Sequence, residues 1–288
     1  MKNRKKKLRL STLVLLICIP VFCVSAYMVF SQLFVDYRQN QTFGSLIEQV
    51  NQARNNPDMQ VQTSSDTSAS APGIAGASAQ EGSDARETQP IASDEALPML
   101  SAYAPLYAQN PDLFGWIEIA DTVVNYPVMH TPEDPEFYLH RAYDGTSAYS
   151  GVPFLGGDCF LGCGNYIVYG HNMKNGTQFA TIPKYSSEAF WREHPTIRFD
   201  TLYETGLYDV VAAFYSQAYS ANAVGVFRYY QFTDLRDEER FEEYAAQVKK
   251  ASLYDTGIEL EYGDQLLTLS TCEYHRTNGR FVVVAKKC

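Results

Sequence analysis

No acidic residue occurs among the first nine, MKNRKKKLR, and no charge of either sign occurs in residues 10–35, LSTLVLLICIPVFCVSAYMVFSQLFV. The second absence excludes an ordinary water-exposed helix for that stretch. A helix of this length reaches roughly 39 Å, enough to cross a ~30 Å hydrocarbon core. Pro20 can kink such a span, which membrane helices tolerate. Six Lys or Arg residues precede the span and Asp36 follows it. That bias orients the amino terminus to the cytoplasm and the bulk of the chain outside the membrane. A cleaved signal peptide is the competing reading, with Val24-Ser25-Ala26 as a passable cleavage site. The apolar run continues from Tyr27 to Val35, longer than a signal core needs. Its length favours a retained anchor that contacts membrane lipid through residues 10–35. Bulky Phe22 argues against a lipoprotein anchor at Cys23.

Aromatic residues are missing from residues 57–96, which are dominated by Ser, Ala, Gly, Gln and Asp. Such a stretch buries too little apolar surface to fold and reads as a flexible linker, holding a folded domain away from the bilayer. Before it, residues 36–56 carry Phe43, Leu46, Ile47 and Val50 at helical spacing, so a juxtamembrane helix is expected. A basic face is lacking as well. The net charge is −10 although the first nine residues hold six cations, which excludes nucleic acid as the main partner.

Two of the six cysteines, Cys18 and Cys23, fall in the apolar span. Cys159 and Cys163, in "GDCFLGCGN", lack the further thiols or imidazoles that zinc requires. They read as ordinary loop cysteines, although an oxidising exterior permits a bridge between them. Cys288 has no readable role. No acidic cluster suggests a metal, no cofactor is implied, and no internal repeat is visible.

Residues 97–288 are ample for one core. "LPMLSAYAPLYAQNPD" predicts a short helix with Leu100, Tyr103, Leu106 and Tyr107 inward. Short β-type runs follow: GWIEI, VVNYPV, VPFLG, NYIVYG, TIRFD, LYDVVAAFYSQAY, GVFRYY, QLLTLSTC and RFVVVAK. Many short strands punctuated by Gly, Pro and Asp predict a closed all-β barrel or sandwich. Two helical interruptions are expected. One or two short helices fit "NGTQFATIPKYSSEAFWREHP". An amphipathic helix fits residues 233–251, capped by Thr233, with Phe241, Tyr244, Ala245 and Val248 on one face.

The closing stretch, "TLSTCEYHRTNGRFVVVAKK", puts a thiol at one lip of a polar loop and a guanidinium at the other. Cysteine nucleophiles usually need a histidine. Of the five histidines, His130 and His140 read as solvated loop residues and His194 as a structural helix exit. His275 lies three residues after Cys272 and competes with His171, which an apolar strand delivers to a rim. Arg280 directly precedes FVVVAK, on the face of Val282 and Val284, where it could face a developing oxyanion. Arg276, mid-loop, is its rival.

"TLSTC", then "RFVVVAK" eight residues on, with "YIVYGHNMKNGTQF" about a hundred residues earlier, resembles the sortases. These are membrane-anchored cysteine transpeptidases of Gram-positive bacteria. Serine in "LSTC", "KYSSEAFWREHPTIRF" and "NPDLFGWIEIADTVVNYPVMHTPEDPEFYLHRAY" resemble class B in particular, over roughly residues 97–288. The resemblance implies an eight-stranded β-barrel with amino-terminal helices and a long helix between the sixth and seventh strands. It also implies His171, Cys272 and Arg280 as the catalytic residues, and sets His275 and Arg276 aside. The two cysteines of "GGDCFLGCGN" depart from the family pattern.

The implied reaction cleaves a carboxyl-terminal sorting signal of a secreted protein after Thr, through a Cys272 thioester. Transfer then goes to an amine of a peptidoglycan precursor or a pilin, and class B members serve haem uptake or pilus assembly. A cysteine endopeptidase of papain type places Cys before His, opposite to this chain. A non-catalytic anchored envelope protein would explain the anchor and linker, but not the His, Cys and Arg together.

Overall fold

The computed structural model describes residues 10–55, 97–274 and 278–288. The basic tail, the linker of residues 57–96, His275 and Arg276 lie outside the described residues.

Eight strands form a closed barrel: β1 (Leu113–Glu118), β2 (Asn125–Met129), β3 (Phe154–Leu155), β4 (Asn165–Gly170), β5 (Thr196–Thr201), β6 (Leu207–Gln217), β7 (Leu266–Glu273) and β8 (Gly279–Lys287). Their order around the barrel is β1-β2-β3-β4-β7-β8-β6-β5, and β5 pairs with β1 to close it. Closure leaves no long sheet edge exposed. Among the described residues, only β2–β3 and β4–β7 pair in parallel.

The run FVVVA of β8 is apolar at every position because both its faces are covered. Phe281, Val283 and Ala285 join Leu267 and Leu269 of β7 in the barrel core. Val282 and Val284 point outward with Leu266, into a second apolar cluster beneath helix α4 (Glu238–Ala251). That helix lies between β6 and β7, as expected. Phe241, Tyr244 and Val248 are its buried face. Its cap is Asp237, whose carboxylate accepts from the Arg240 N–H at 2.9 Å. Thr233 does not cap it; the Thr233 carbonyl accepts instead from the Asn165 N–H at the head of β4.

One expected strand is absent. GVFRYY forms irregular chain leading into a single 3₁₀ turn, Tyr229–Gln231. Phe227 and Tyr229 pack with Phe214 against the outer barrel wall. Its aromatic content reflects that packing rather than a hydrogen-bonded ladder. The short amino-proximal helix α2 (Ala104–Gln109) buries Leu106 and is preceded by buried Tyr103, whereas Tyr107 is exposed. The chain after β4 holds a 3₁₀ segment, Phe179–Ser186, and helix α3 (Glu188–Glu193).

Helix α1 runs unbroken from Leu10 to Asn55, through Pro20. Its first part exposes Phe22, Tyr27, Met28, Phe30 and Leu33 at 63–73%. An apolar surface of that extent fits a single-pass membrane anchor. Its last part is not a free-standing juxtamembrane rod. Phe43, Leu46 and Val50, one helical stripe, are buried in the barrel's core cluster. Buried Gln39 donates to the Gly151 carbonyl at 2.7 Å and accepts from Ser150 at 2.6 Å. The docked helix thus brings the barrel to within a turn or so of the last apolar residues, Phe34 and Val35.

Arg54 fastens the far end. It pairs with Glu118 at 2.9 Å and with Asp200, which is buried, at 3.0 Å, and donates to the Tyr103 hydroxyl. Asp200 also accepts from Tyr103, Arg198 and the Gly206 N–H. Removing one partner of a buried carboxylate leaves desolvation uncompensated, at a cost of about 1–3 kcal/mol. Arg54→Ala should therefore lower Tm by roughly 2–10 °C in a domain of this size. Glu118→Gln, at a half-exposed position, should change it little. Equal Tm values for wild type and Arg54→Ala in a melting scan of the full chain would contradict this docking.

Candidate active site

Three adjacent strands carry the expected residues. β7 and β8 pair antiparallel with Cys272 directly opposite Arg280. β4 and β7 pair in parallel, and their last registered pair is Gly170 with Thr271. The next residues on the two strands are His171 and Cys272, so the three side chains stand level across β4–β7–β8. Arg280 shares its face with Val282 and Val284, as alternation predicts. This is the outer face of the barrel, where the cover provided by α4 and the β6–β7 connection ends.

The three residues, all half-buried, line one cleft of about 380 Å³. Pro135, Leu139, Gly156, Gly157, Tyr229 and Tyr230 line it with them. Such a groove matches the size of small-ligand or peptide sites.

Local hydrogen bonds hold the strand ends together. The Thr271 hydroxyl donates to the Gly170 carbonyl at 2.7 Å, and the Asn172 amide donates to the Cys272 carbonyl at 3.0 Å. The Tyr274 hydroxyl donates to the Asn172 carbonyl. Gly170 has a steric reason: a Cβ there would sit 2.7 Å from the Phe179 ring. The ring could not pack against the backbone that presents His171.

His171 Nε2 lies 2.8 Å from the Leu139 carbonyl. A carbonyl only accepts, so Nε2 carries the proton and Nδ1 of the neutral ring is left free. Burial pushes the imidazole below the ordinary histidine range. The Leu139 contact opposes this, and nearby His140 and Arg280 add to the depression. The rings of His140 and His171 stack with centroids 5.2 Å apart, and Tyr149 stacks on His140 at 5.9 Å. At the cleft floor Tyr229 and Ser270 share a hydrogen bond of 2.7 Å. Burial pushes the Tyr229 phenol up to about 12, so its proton is retained at neutral pH.

His140 is exposed, as expected of a loop residue, yet it backs His171 through this stack. His130 is not solvated. It is half-buried, packs edge-on against Phe114, and burial lowers its pKa. His194 caps the end of α3. Cys159 and Cys163 are buried rather than ordinary loop residues. Asn172, Tyr229 and the His140–Tyr149 stack escaped sequence reasoning. Adjacency to His171 could have flagged Asn172; nothing local points to Tyr229, 41 residues from its partner Ser270.

Among the described residues no group of His, Cys, Asp or Glu is arranged to hold a metal ion.

Residues 117–288 match the sortase domain. The chain is 34% identical over 184 residues to sortase B of Listeria monocytogenes, covering 62% of this chain and 70% of that protein. Sortase B of Staphylococcus aureus is 30% identical over 181 residues, with the same coverage. The solved Staphylococcus aureus sortase B–substrate complex superposes with a TM-score of 0.57 at 26% identity, covering 66% of this chain and 86% of that one. On the family match over residues 117–288 and these two relatives, the chain belongs to the sortase family, as a class B cysteine transpeptidase.

Proposed function

We propose that Cys272 is the nucleophile, His171 the acid–base group and Arg280 the oxyanion partner in transpeptidation of a carboxyl-terminal sorting signal. The observation that carries this is the level register of the three residues at one cleft. Cys272 gives its thiol proton to His171 Nδ1, and the Sγ thiolate attacks the carbonyl carbon of the Thr–X peptide bond. The oxyanion that develops is stabilised by Arg280 and backbone N–H groups. His171 then gives its Nδ1 proton to the departing amine, the C–N bond breaks, and an acyl thioester remains on Cys272. An acceptor amine of a peptidoglycan precursor or pilin next attacks the thioester, and His171 Nδ1 takes its proton. The thiolate leaves.

The same reading extends to the chain's placement. Residues 1–9 form a cytoplasmic tail, residues 10–35 lie in membrane lipid, residues 36–96 connect, and residues 97–288 act outside the cell. The barrel's tie to α1 supports a cleft held near the outer membrane surface.

The central test is product analysis with a sorting peptide, with and without an amine nucleophile. Amide product should form with the amine, and none of either product should form with Cys272→Ala. Hydrolysis alone, with no amide product, would reassign the activity to an endopeptidase. His171→Ala should lose roughly 10²–10⁴-fold in turnover, while His275→Ala keeps most of it.

Arg280→Lys separates directed hydrogen bonding from charge. Lysine keeps the cation but loses the planar fork. Turnover should fall about 10²-fold or more, the usual cost of losing an oxyanion donor, and Arg276→Lys should behave like wild type. Near-normal turnover in Arg280→Lys would pass the oxyanion role to backbone amides.

The depressed His171 titration has a definite sign. Its folded pKa lies below the unfolded value of about 6.5, so the unfolded chain takes up the proton first on acidification. Stability from this group is complete above about 6.5 and is lost as pH falls towards the depressed value. An NMR titration of the His171 ring should give a midpoint below about 6.5. His140→Gln, which removes the imidazole whose centroid lies 5.2 Å away and which depresses His171, should raise it. A midpoint unmoved by that change would remove His140 from the electrostatics of the site.

A further inference from the structure

The connection from β3 to β4 leaves Gly156 at the cleft wall and returns at Asn165, the first residue of β4. Two turns fold it back on itself: the Cys159 N–H donates to the Gly156 carbonyl and the Cys163 N–H to the Phe160 carbonyl. Gly162 and Gly164 take positive φ values of 77° and 89° to complete the reversal. The result brings both thiols to one acceptor. Cys163 Sγ lies 3.3 Å and Cys159 Sγ 3.8 Å from the Asn165 carbonyl oxygen. Both are buried, at 3% and 0% exposure, in the barrel core cluster.

Two thiols gathered on one carbonyl oxygen beside the wall of the cleft, on the side of the membrane where disulfides persist, are arranged for closure. We propose that Cys159 and Cys163 are a redox-active dithiol that closes to an intramolecular disulfide by exchange with an external disulfide, bracing the cleft wall. The location of the domain outside the cell is taken from the proposed function; the pairing itself rests on the geometry alone.

The two sulfurs are not equivalent. Cys163 is pulled below the ordinary thiol range by the hydrogen bond from Cys159 and by the backbone around it. Cys159 is pushed up by the same partner and by burial. Cys163 is therefore the attacking thiolate, reached by the external disulfide when the 156–165 turn opens locally, since the closed turn leaves it at 0% exposure. Its Sγ forms a bond to one sulfur of the external disulfide, releasing the other as thiolate. Cys159 then gives its proton to solvent base, and its Sγ attacks Cys163 Sγ, expelling the second external thiolate. The protein dithiol is oxidised by two electrons and one external disulfide is reduced to two thiols. Neither step touches Cys272.

The closed pair would tie down the turn between Gly156 at the cleft wall and Asn165. The Asn165 side chain donates to the Phe232 carbonyl and accepts from Thr268. A braced turn therefore supports the start of the strand that ends at His171.

The test uses the full chain in detergent, in a Cys272→Ala background so that the cleft thiol cannot react. Fully reduced protein is exposed to glutathione disulfide, denatured, alkylated and mapped by mass. The peptide holding both cysteines should be two hydrogens lighter and unalkylated, taking two alkyl groups only after reduction. Two alkyl groups without reduction, or stable glutathione adducts on separate chains, would overturn the proposal. In melting scans, reductant should lower the Tm of the oxidised protein by a few degrees, an effect of roughly the size short-loop bridges give. The Cys159→Ala/Cys163→Ala double variant should show no reductant response. An equal response in both proteins would overturn the bracing role. The same alkylation on chain recovered directly from cells separates the two readings: closure in vitro but free thiols in cells would move the domain to a reducing compartment while leaving the dithiol intact.

Discussion

The parallel pairing of β4 with β7 is the constraint on which the site depends. Parallel neighbours cannot be joined by a tight turn, so the chain must leave β4 and return by a crossover. Here that crossover is residues 171–265, and it contains β5, β6 and α4. His171 and Cys272 are 101 positions apart yet stand level because this ladder is in register from Asn165–Leu266 to Gly170–Thr271. The β7–β8 pairing then brings Arg280 opposite Cys272 without further machinery. A slip of one residue in either ladder would send a side chain to the barrel interior.

Electrostatics in the cleft follow from burial more than from charge pairing. Tyr169 and Tyr229 line it and are kept protonated by desolvation. His171 is kept neutral at physiological pH by burial, with its proton fixed on Nε2 by Leu139. A neutral imidazole beside a guanidinium suits a site that must stabilise a developing negative charge. In the proposed reaction, its cost is a small population of the imidazolium that would release the amine. His140, stacked on the outer side of His171, shifts that balance further in the same direction.

Helix α1 joins the membrane anchor to the catalytic body as one element. Phe43, Leu46 and Val50 pack into the barrel core, and Arg54 reaches buried Asp200. Gln39 and Gln178 both donate to the Gly151 carbonyl, at 2.7 and 3.0 Å. Gln178 follows the His171 loop in the chain, so the same carbonyl touches the anchor helix and the region that presents the histidine. The docked part of α1 and the cleft therefore share one packed and hydrogen-bonded frame.

Local pattern alone determined the apolar span, the amphipathic face of α4 and six of the strand-forming runs beside the two that carry Cys272 and Arg280, because burial imposes periods of 3.6 and 2 on short stretches. GVFRYY shows its limit: aromatic residues packed on an outer wall read like a strand when no ladder is present. Cys272 and Arg280 were legible as a pair because a hairpin is a local object. His171 could not be separated from His275 by spacing, since its partnership with Cys272 is created by a parallel ladder between distant segments. Tyr229 over Ser270, His140 behind His171, the docking of α1 and the meeting of Cys159 with Cys163 were likewise decided by tertiary structure. Each joins groups whose contact depends on how the chain returns to the barrel, and side-chain periodicity carries no record of that path.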